Sequence, residues 1–274
     1  MTFRRLIFVA SLFLIVAAQS SESNCPCQNG GTCSNDVCFC PDGWTGKQCQ
    51  RPCVDFYKSC AGWDEEGRCQ WTRGITTFFL DNCPVTCGQC KFDNKTVPKG
   101  LPLPPILEPL KAFVGVWRTE TTFPDRFPVK FESASGYSEN LTIAIAEVPG
   151  FDTPSLNYTV DAVSLNDEND AQREVGFLWM KPGNGSTKLV GNMMVVNSGL
   201  IIIQEGVLEN GVITLNTTTY SQFYPLSRNP EPTELTNNLR KLELTGPDRM
   251  TQTVSPLEGN GRTYAKYYTR IADF

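Results

Sequence analysis

The sequence predicts a mainly β protein: two small disulfide-rich modules followed by an antiparallel β-barrel or sandwich. Three observations carry this. All twelve cysteines lie between Cys25 and Cys90, and the rest of the 274-residue chain has none. Beyond residue 106 the texture changes to short segments of alternating apolar and polar residues, the pattern of half-buried strands. Between those segments stand turn signals such as Asn210-Gly211 and Gly246-Pro247-Asp248, and no strong helical pattern interrupts them.

The cysteines divide into two sets of six, Cys25 to Cys49 and Cys53 to Cys90. Each segment is too short to bury a self-sufficient apolar core, so covalent bridges must supply its stability. Zinc is the alternative reading of the Cys-x-Cys and Cys-x-x-Cys steps. The lack of two separated pairs of zinc-finger type weighs against it, and so does the oxidising compartment that the amino terminus implies. Residues 1–20 read as a secretory signal: Arg4 and Arg5, an apolar run from Leu6 to Ala17, then the small Ala18 and Ser20. A membrane anchor is the competing reading, but the run is short for a span and no second hydrophobic segment follows. A secreted, extracellular protein without a membrane span is expected. Five acceptor sequons, at Asn94, Asn140, Asn157, Asn184 and Asn216, agree with export. The net charge of -5 and the absence of any basic run exclude a nucleic-acid partner.

Residues 21–50 contain Cys25-Pro-Cys27-Gln-Asn-Gly-Gly-Thr-Cys33 and Cys38-Phe-Cys40-Pro-Asp-Gly-Trp-Thr-Gly-Lys-Gln-Cys49. This stretch resembles an EGF-like domain. The resemblance implies bridges Cys25–Cys33, Cys27–Cys38 and Cys40–Cys49. Only Glu22 precedes the first cysteine among acidic residues of that stretch, so no calcium or other metal site is expected. Thr32 matches the O-fucose acceptor pattern of such domains; an unmodified turn residue is the other reading. Residues 51–90 carry Cys53, Asp55, Cys60, Trp63, Cys69 and the ending Cys83-Pro-Val-Thr-Cys87-Gly-Gln-Cys90. They resemble the ShK-toxin-like domain common in nematode secreted proteins. The implied bridges are Cys53–Cys90, Cys60–Cys83 and Cys69–Cys87, with Asp55 and Thr86 at positions that family uses structurally. Channel-blocking members carry a Lys-Tyr pair where this chain has Thr77 and Phe78. A stapled spacer or docking module is therefore expected.

Residues 91–105 form a linker rich in proline: Pro98, Pro102, Pro104 and Pro105. Residues 106–274 are the barrel, with one short helix expected over Leu107 to Val114. Strand parity places Asn140, Asn157 and Asn216 on the more polar face, opposite Leu141 and Ile143, Tyr158 and Val160, and Ile213 and Leu215. A lipocalin-like closed sheet, sugar outside and apolar residues inside, satisfies all three.

Phe113 to Trp117, Arg173 to Pro182, Asn197 to Gly199, Glu205-Gly206, Gln252 to Ser255 and Tyr267 to Ile271 resemble, in order, the nitrobindin family of heme-binding barrels. That resemblance implies ferric heme held through a histidine on the last strand and, in some members, isomerisation of peroxynitrite. This chain has no histidine. The matching position falls at or next to Thr263 and Tyr264. Heme iron takes imidazole, thiolate, thioether or phenolate, which leaves Tyr264, Met193 and Met194 as donors. A general base or triad built on histidine is likewise absent. The expectation is a non-enzymatic glycoprotein with no cofactor, whose barrel binds a small apolar ligand or an extracellular protein. The alternative is a heme barrel with a non-histidine ligand and nitrogen-oxide chemistry, and a third reading is a barrel filled by its own side chains.

Overall fold

The computed structural model describes residues 25–95, 103–123, 126–129, 131, 136–146, 154–182, 187–222, 238–256 and 262–273. The signal of residues 1–20 and the Asn184 sequon lie outside them. None of the described helices is long and apolar enough to cross a membrane.

The first module is a hairpin of β1 (Thr32–Ser34) and β2 (Val37–Phe39), then the two-residue strands β3 (Trp44–Thr45) and β4 (Arg51–Pro52). Asn35 and Asp36 both take left-handed backbone angles, φ 51° and 59°, which the two-residue hairpin turn requires. Disulfides join Cys25 to Cys33, Cys27 to Cys38 and Cys40 to Cys49. The sulfurs of Cys25, Cys27 and Cys38 lie within 4.8 Å of one another, but they are halves of two neighbouring bridges rather than free thiolates.

The second module packs three short helices, α1 (Cys60–Glu65), α2 (Arg68–Trp71) and α3 (Phe78–Asn82). Bridges Cys53–Cys90, Cys60–Cys83 and Cys69–Cys87 tie them together. The apolar content is Phe56, Tyr57 and Phe79 among the buried cysteines. Trp63 meets Phe79 edge-on at 5.4 Å. Asp55 closes the module: its carboxylate accepts from the backbone of Val85 at 3.0 Å and from the Thr86 hydroxyl at 2.5 Å.

The barrel opens with a 3-10 helix, Pro105–Phe113, whose internal Pro109 is incompatible with a regular α-helical ladder. Ten strands follow: β5 (Gly115–Thr121), β6 (Tyr137–Ile145), β7 (Ser155–Ser164), β8 (Ala171–Pro182), β9 (Lys188–Val196), β10 (Leu200–Glu209), β11 (Val212–Gln222), β12 (Asn238–Gly246), β13 (Arg249–Pro256) and β14 (Tyr264–Ala272). Each pairs antiparallel with its sequence neighbours, and β14 closes on β5 through Thr269 and Arg118. Closure removes the free edges.

Leu107, Leu110 and Phe113 of the 3-10 helix are buried, and together they stopper one end. Arg270 holds the stopper in place. Its guanidinium lies 4.3 Å from the Trp117 ring centroid and donates to the Val114 and Ala112 carbonyls at 2.7 Å each. A cation is well placed on the exposed carbonyls of a helix end. The opening Phe113 to Trp117 and the closing Arg270 thus make one structural unit. At the other end the β5–β6 connection turns Arg126, Phe127 and Phe131 inward, all buried; β14 begins at that end.

Facing follows strand parity. Leu141, Ile143, Tyr158, Val160, Ile213 and Leu215 are buried, Asn157 and Asn216 are exposed, and Asn140 is half-buried. Asn94 and Thr32 are also exposed. The interior departs from the all-apolar expectation: Glu139, Glu174, Arg240 and Lys266 occupy inward positions and are buried with Arg126.

Candidate functional site

The inward polar groups form two clusters. The first surrounds Arg126, which leaves the β5–β6 connection and enters the barrel. Its Nε donates to Glu139 Oε2 at 2.8 Å, its Nη1 to Gln172 Oε1 at 2.7 Å, and its Nη2 to Glu174 Oε1. Glu139 is shared with β14. Lys266 Nζ reaches both of its oxygens at 2.9 Å and the Phe127 carbonyl at 3.1 Å, and the Tyr268 hydroxyl donates to Oε1. Two cations thus face two carboxylates. Burial would raise the Glu139 carboxyl, but Lys266 and Arg126 outweigh it and hold the group at about 2. Burial also draws the Lys266 ammonium down to about 8, against the pull of Glu139.

The second cluster lies around Arg240 of β12. Nη2 donates to the Tyr158 hydroxyl at 2.8 Å and to Gln252 Oε1 at 3.1 Å. Nη1 donates to Gln204 Oε1 at 3.2 Å and to Met194 Sδ at 3.6 Å. Gln204 in turn donates to Thr217 and Asn238. These partners come from β7, β9, β10 and β13, so the Arg240 side chain ties distant walls of the barrel together.

Register fixes the disposition of the donors named from sequence. Tyr264 stands at the first position of β14, opposite Val254, which itself stands opposite Arg240. It is buried, 7% exposed, with the Phe127 ring centroid 6.4 Å away. Thr263 precedes the strand and is exposed. Met193 points out of the barrel, 37% exposed, whereas Met194 points in and is fully buried. Two further phenols face inward. Burial pushes both Tyr158 and Tyr268 upward, and their hydroxyls are committed to Arg240 and Glu139, so they stay neutral.

Comparison with known proteins follows the same boundary. Residues 106–267 match the model of the THAP4-like, heme-binding β-barrel domain. The chain belongs to the THAP4-like heme-binding β-barrel family. Residues 52–90 match the ShK domain-like model. The peroxynitrite isomerase THAP4 of Rattus norvegicus is 26% identical over 157 residues, which cover 56% of this chain and 24% of that protein. The sushi, von Willebrand factor type A, EGF and pentraxin domain-containing protein 1 of Rattus norvegicus is 57% identical over 28 residues, 10% of this chain and 1% of its own length. The chain therefore spans a quarter or less of these relatives. The crystal structure of Rv2717c from M. tuberculosis overlays with a TM-score of 0.42 at 18% identity, covering 62% of this chain and 99% of that one.

Membership of a heme-binding barrel family overturns the expectation of no cofactor. Missing histidine had carried that expectation, yet imidazole is one heme donor among several. The barrel offers an inward phenol at the start of the last strand and an apolar wall of Phe127, Val254, Ile202 and Met194. A phenol is among the donors that heme iron accepts.

Proposed function

We propose that the chain is an exported heme protein, with heme held in the barrel through Tyr264 and used on nitrogen oxides. The family supports the cofactor, and the rat isomerase supports the substrate class. The observation that carries the ligand is the inward, buried placement of Tyr264 in β14. Bound there, ferric heme would supply an electron-accepting iron of the kind the phenolate-ligated enzymes use. The chain's own part is to present the phenol, to wall the site with Phe127 and Val254, and to hold the nearby β14 backbone rigid through Lys266 and Tyr268 on Glu139. This reading displaces a generic apolar-ligand carrier.

Export, with residues 1–20 as signal, is supported by six disulfides and the ShK-like segment. An EGF-like module over residues 21–50 is supported by the short match to an EGF-containing protein. Sugar on Asn94, Asn157 and Asn216 is supported by their exposure.

Stoichiometric ferric heme added to the purified protein tests the reading. A saturable one-to-one complex with a defined visible spectrum is expected. Tyr264→Phe should abolish that spectrum while leaving the circular dichroism unchanged. If the wild-type protein gives only free-heme absorption, the cofactor assignment fails; if Tyr264→Phe binds as wild type does, the ligand is another group.

A further inference from the structure

Arg240 is a cation without an anion. Four of its guanidinium hydrogen bonds are formed, and every acceptor is neutral: a phenol, two amides and a thioether. The thioether is a weak acceptor. No carboxylate partners it among the described residues. Counted over the described barrel interior, the buried charges are Arg126, Lys266 and Arg240 against Glu139 and Glu174. Four of these neutralise one another in the Arg126 cluster, and the excess positive charge is the one on Arg240. An uncompensated charge in a closed interior is among the most costly arrangements a fold can keep.

The groups around it are largely unpaired donors. Arg240 Nε, Gln252 Nε2 and both polar atoms of Asn192 are buried and have no hydrogen-bond partner. Asn192 stands directly across from Gln204, which accepts from Arg240. Gln252 turns its oxygen to Arg240, so its amino group is left as a donor. Three unsatisfied N–H donor groups, against one unpaired acceptor at Asn192 Oδ1, therefore accompany one unbalanced positive charge. Buried polar groups are paired in the great majority of native structures, so this concentration calls for an acceptor carrying negative charge.

We propose that the middle of the barrel holds one small monovalent oxyanion of the nitrate type, bound by Arg240, Asn192 and Gln252. Charge sets the valence: one excess cation matches one negative charge, and a divalent phosphate would leave a buried anion in its place. The donor set sets the shape, because a planar anion with several oxygens can accept from three side chains on different strands, and Arg favours such planar acceptors. The site stands on Arg240 and its surroundings and does not require heme.

The test uses the full-length, heme-free protein and sodium nitrate, titrated calorimetrically against a chloride background of constant ionic strength. Saturable one-to-one binding is expected. Arg240→Met should weaken it by about 100-fold and Asn192→Leu by about 10-fold, the first losing a charge-assisted contact and the second a neutral one. Arg240→Met removes an unbalanced buried charge, so the barrel should remain folded by circular dichroism; Asn192→Leu leaves the cation in place and tests the site even if the first variant misfolds. Nitrate binding no stronger than chloride overturns the proposal, as does equal binding by both variants. Loss of nitrate binding on loading with heme also overturns it, since the porphyrin carboxylates would then be the anions that Arg240 serves.

Discussion

The chain solves the same problem, holding a fold together, in two unlike ways. Between Cys25 and Cys90 six disulfides surround a small aromatic core. From Pro105 onward there is no cysteine, and a continuous apolar interior runs from Leu107 through Trp117 to Tyr268. The bridges act mainly by limiting the unfolded chain, more so for the longer loops such as the 37-residue separation of Cys53 and Cys90. The barrel acts through burial in the folded state. Size decides which device is open to each: a short segment cannot bury enough surface, and a closed ten-strand sheet can. It also decides what each can carry, since the barrel encloses by far the larger interior.

Reduction should separate the two most sharply. In dithiothreitol the segment 25–90 is expected to lose protease resistance entirely, because three bridges per module are removed at about 2–5 kcal/mol each. The barrel should keep its strand signal, and the fragment 106–274 should fold without the modules. Limited proteolysis with and without reductant reads both halves in one experiment. A barrel that unfolds together with the modules would show that the two share their stability.

The next largest effect lies within the barrel. Arg126→Met removes one of two cations facing Glu139 and Glu174 and leaves a buried carboxylate unbalanced. The loss should be about 3–5 kcal/mol by denaturant unfolding. Combining it with Glu174→Gln should recover part of that loss, since the remaining charges, Lys266 and Glu139, again balance. A single variant as stable as wild type would mean that the cluster is solvated rather than buried.

How much of this was legible in the sequence differs between the halves for the same physical reason. Cysteine spacing and the placing of Asp55 and Thr86 are local patterns, so the modules read directly. The barrel's strands and the facing of Leu141, Tyr158 and Ile213 follow from alternation, whereas alternation alone left barrel and sandwich open and the family resemblance favoured closure. The Arg126 cluster was hidden because its side-chain contacts span 13 to 129 positions and start from a loop that has no periodicity. Parity offered one signal: Glu139 alternates with Tyr137, Leu141 and Ile143, and Lys266 alternates with Tyr264 and Tyr268. A charge in an apolar register is a buried charge or a register error. Glu174, between Gln172 and Gly176, offered no such signal. The cofactor was misjudged because the missing histidine was weighed as a missing site, whereas residues 106–267 match a heme-binding barrel family.

Acid should expose the inner carboxylate. Glu139 is held at about 2 in the folded state against 4.5 as the ordinary value. Its folded pKa is depressed, so its contribution is complete above about pH 4.5 and is lost as the pH falls toward 2. The difference corresponds to roughly 3 kcal/mol at most. Unfolding free energies measured between pH 5 and pH 2 should fall by up to that amount in wild type. Glu139→Gln should lack this component of the slope. Equal slopes would assign acid lability to other carboxylates.

The smallest expected effect is the most informative control. Arg173 and Asp161 form an ion pair on the outside of β8 and β7 at 2.7 Å, as short as the 2.8 Å of Arg126 on Glu139. The chemistry is the same, guanidinium on carboxylate, and only the surroundings differ. The outer side chains are 64% and 47% exposed, the inner ones fully buried. Water and salt screen the outer pair, and ordering two long side chains offsets most of what remains. Arg173→Ala should therefore leave the thermal midpoint unchanged within error, at low and at high salt, while Arg126→Met lowers it steeply. A salt-sensitive loss at Arg173 comparable to that at Arg126 would mean that geometry, rather than burial, sets the worth of ion pairs in this barrel. The contrast between its two faces would then collapse.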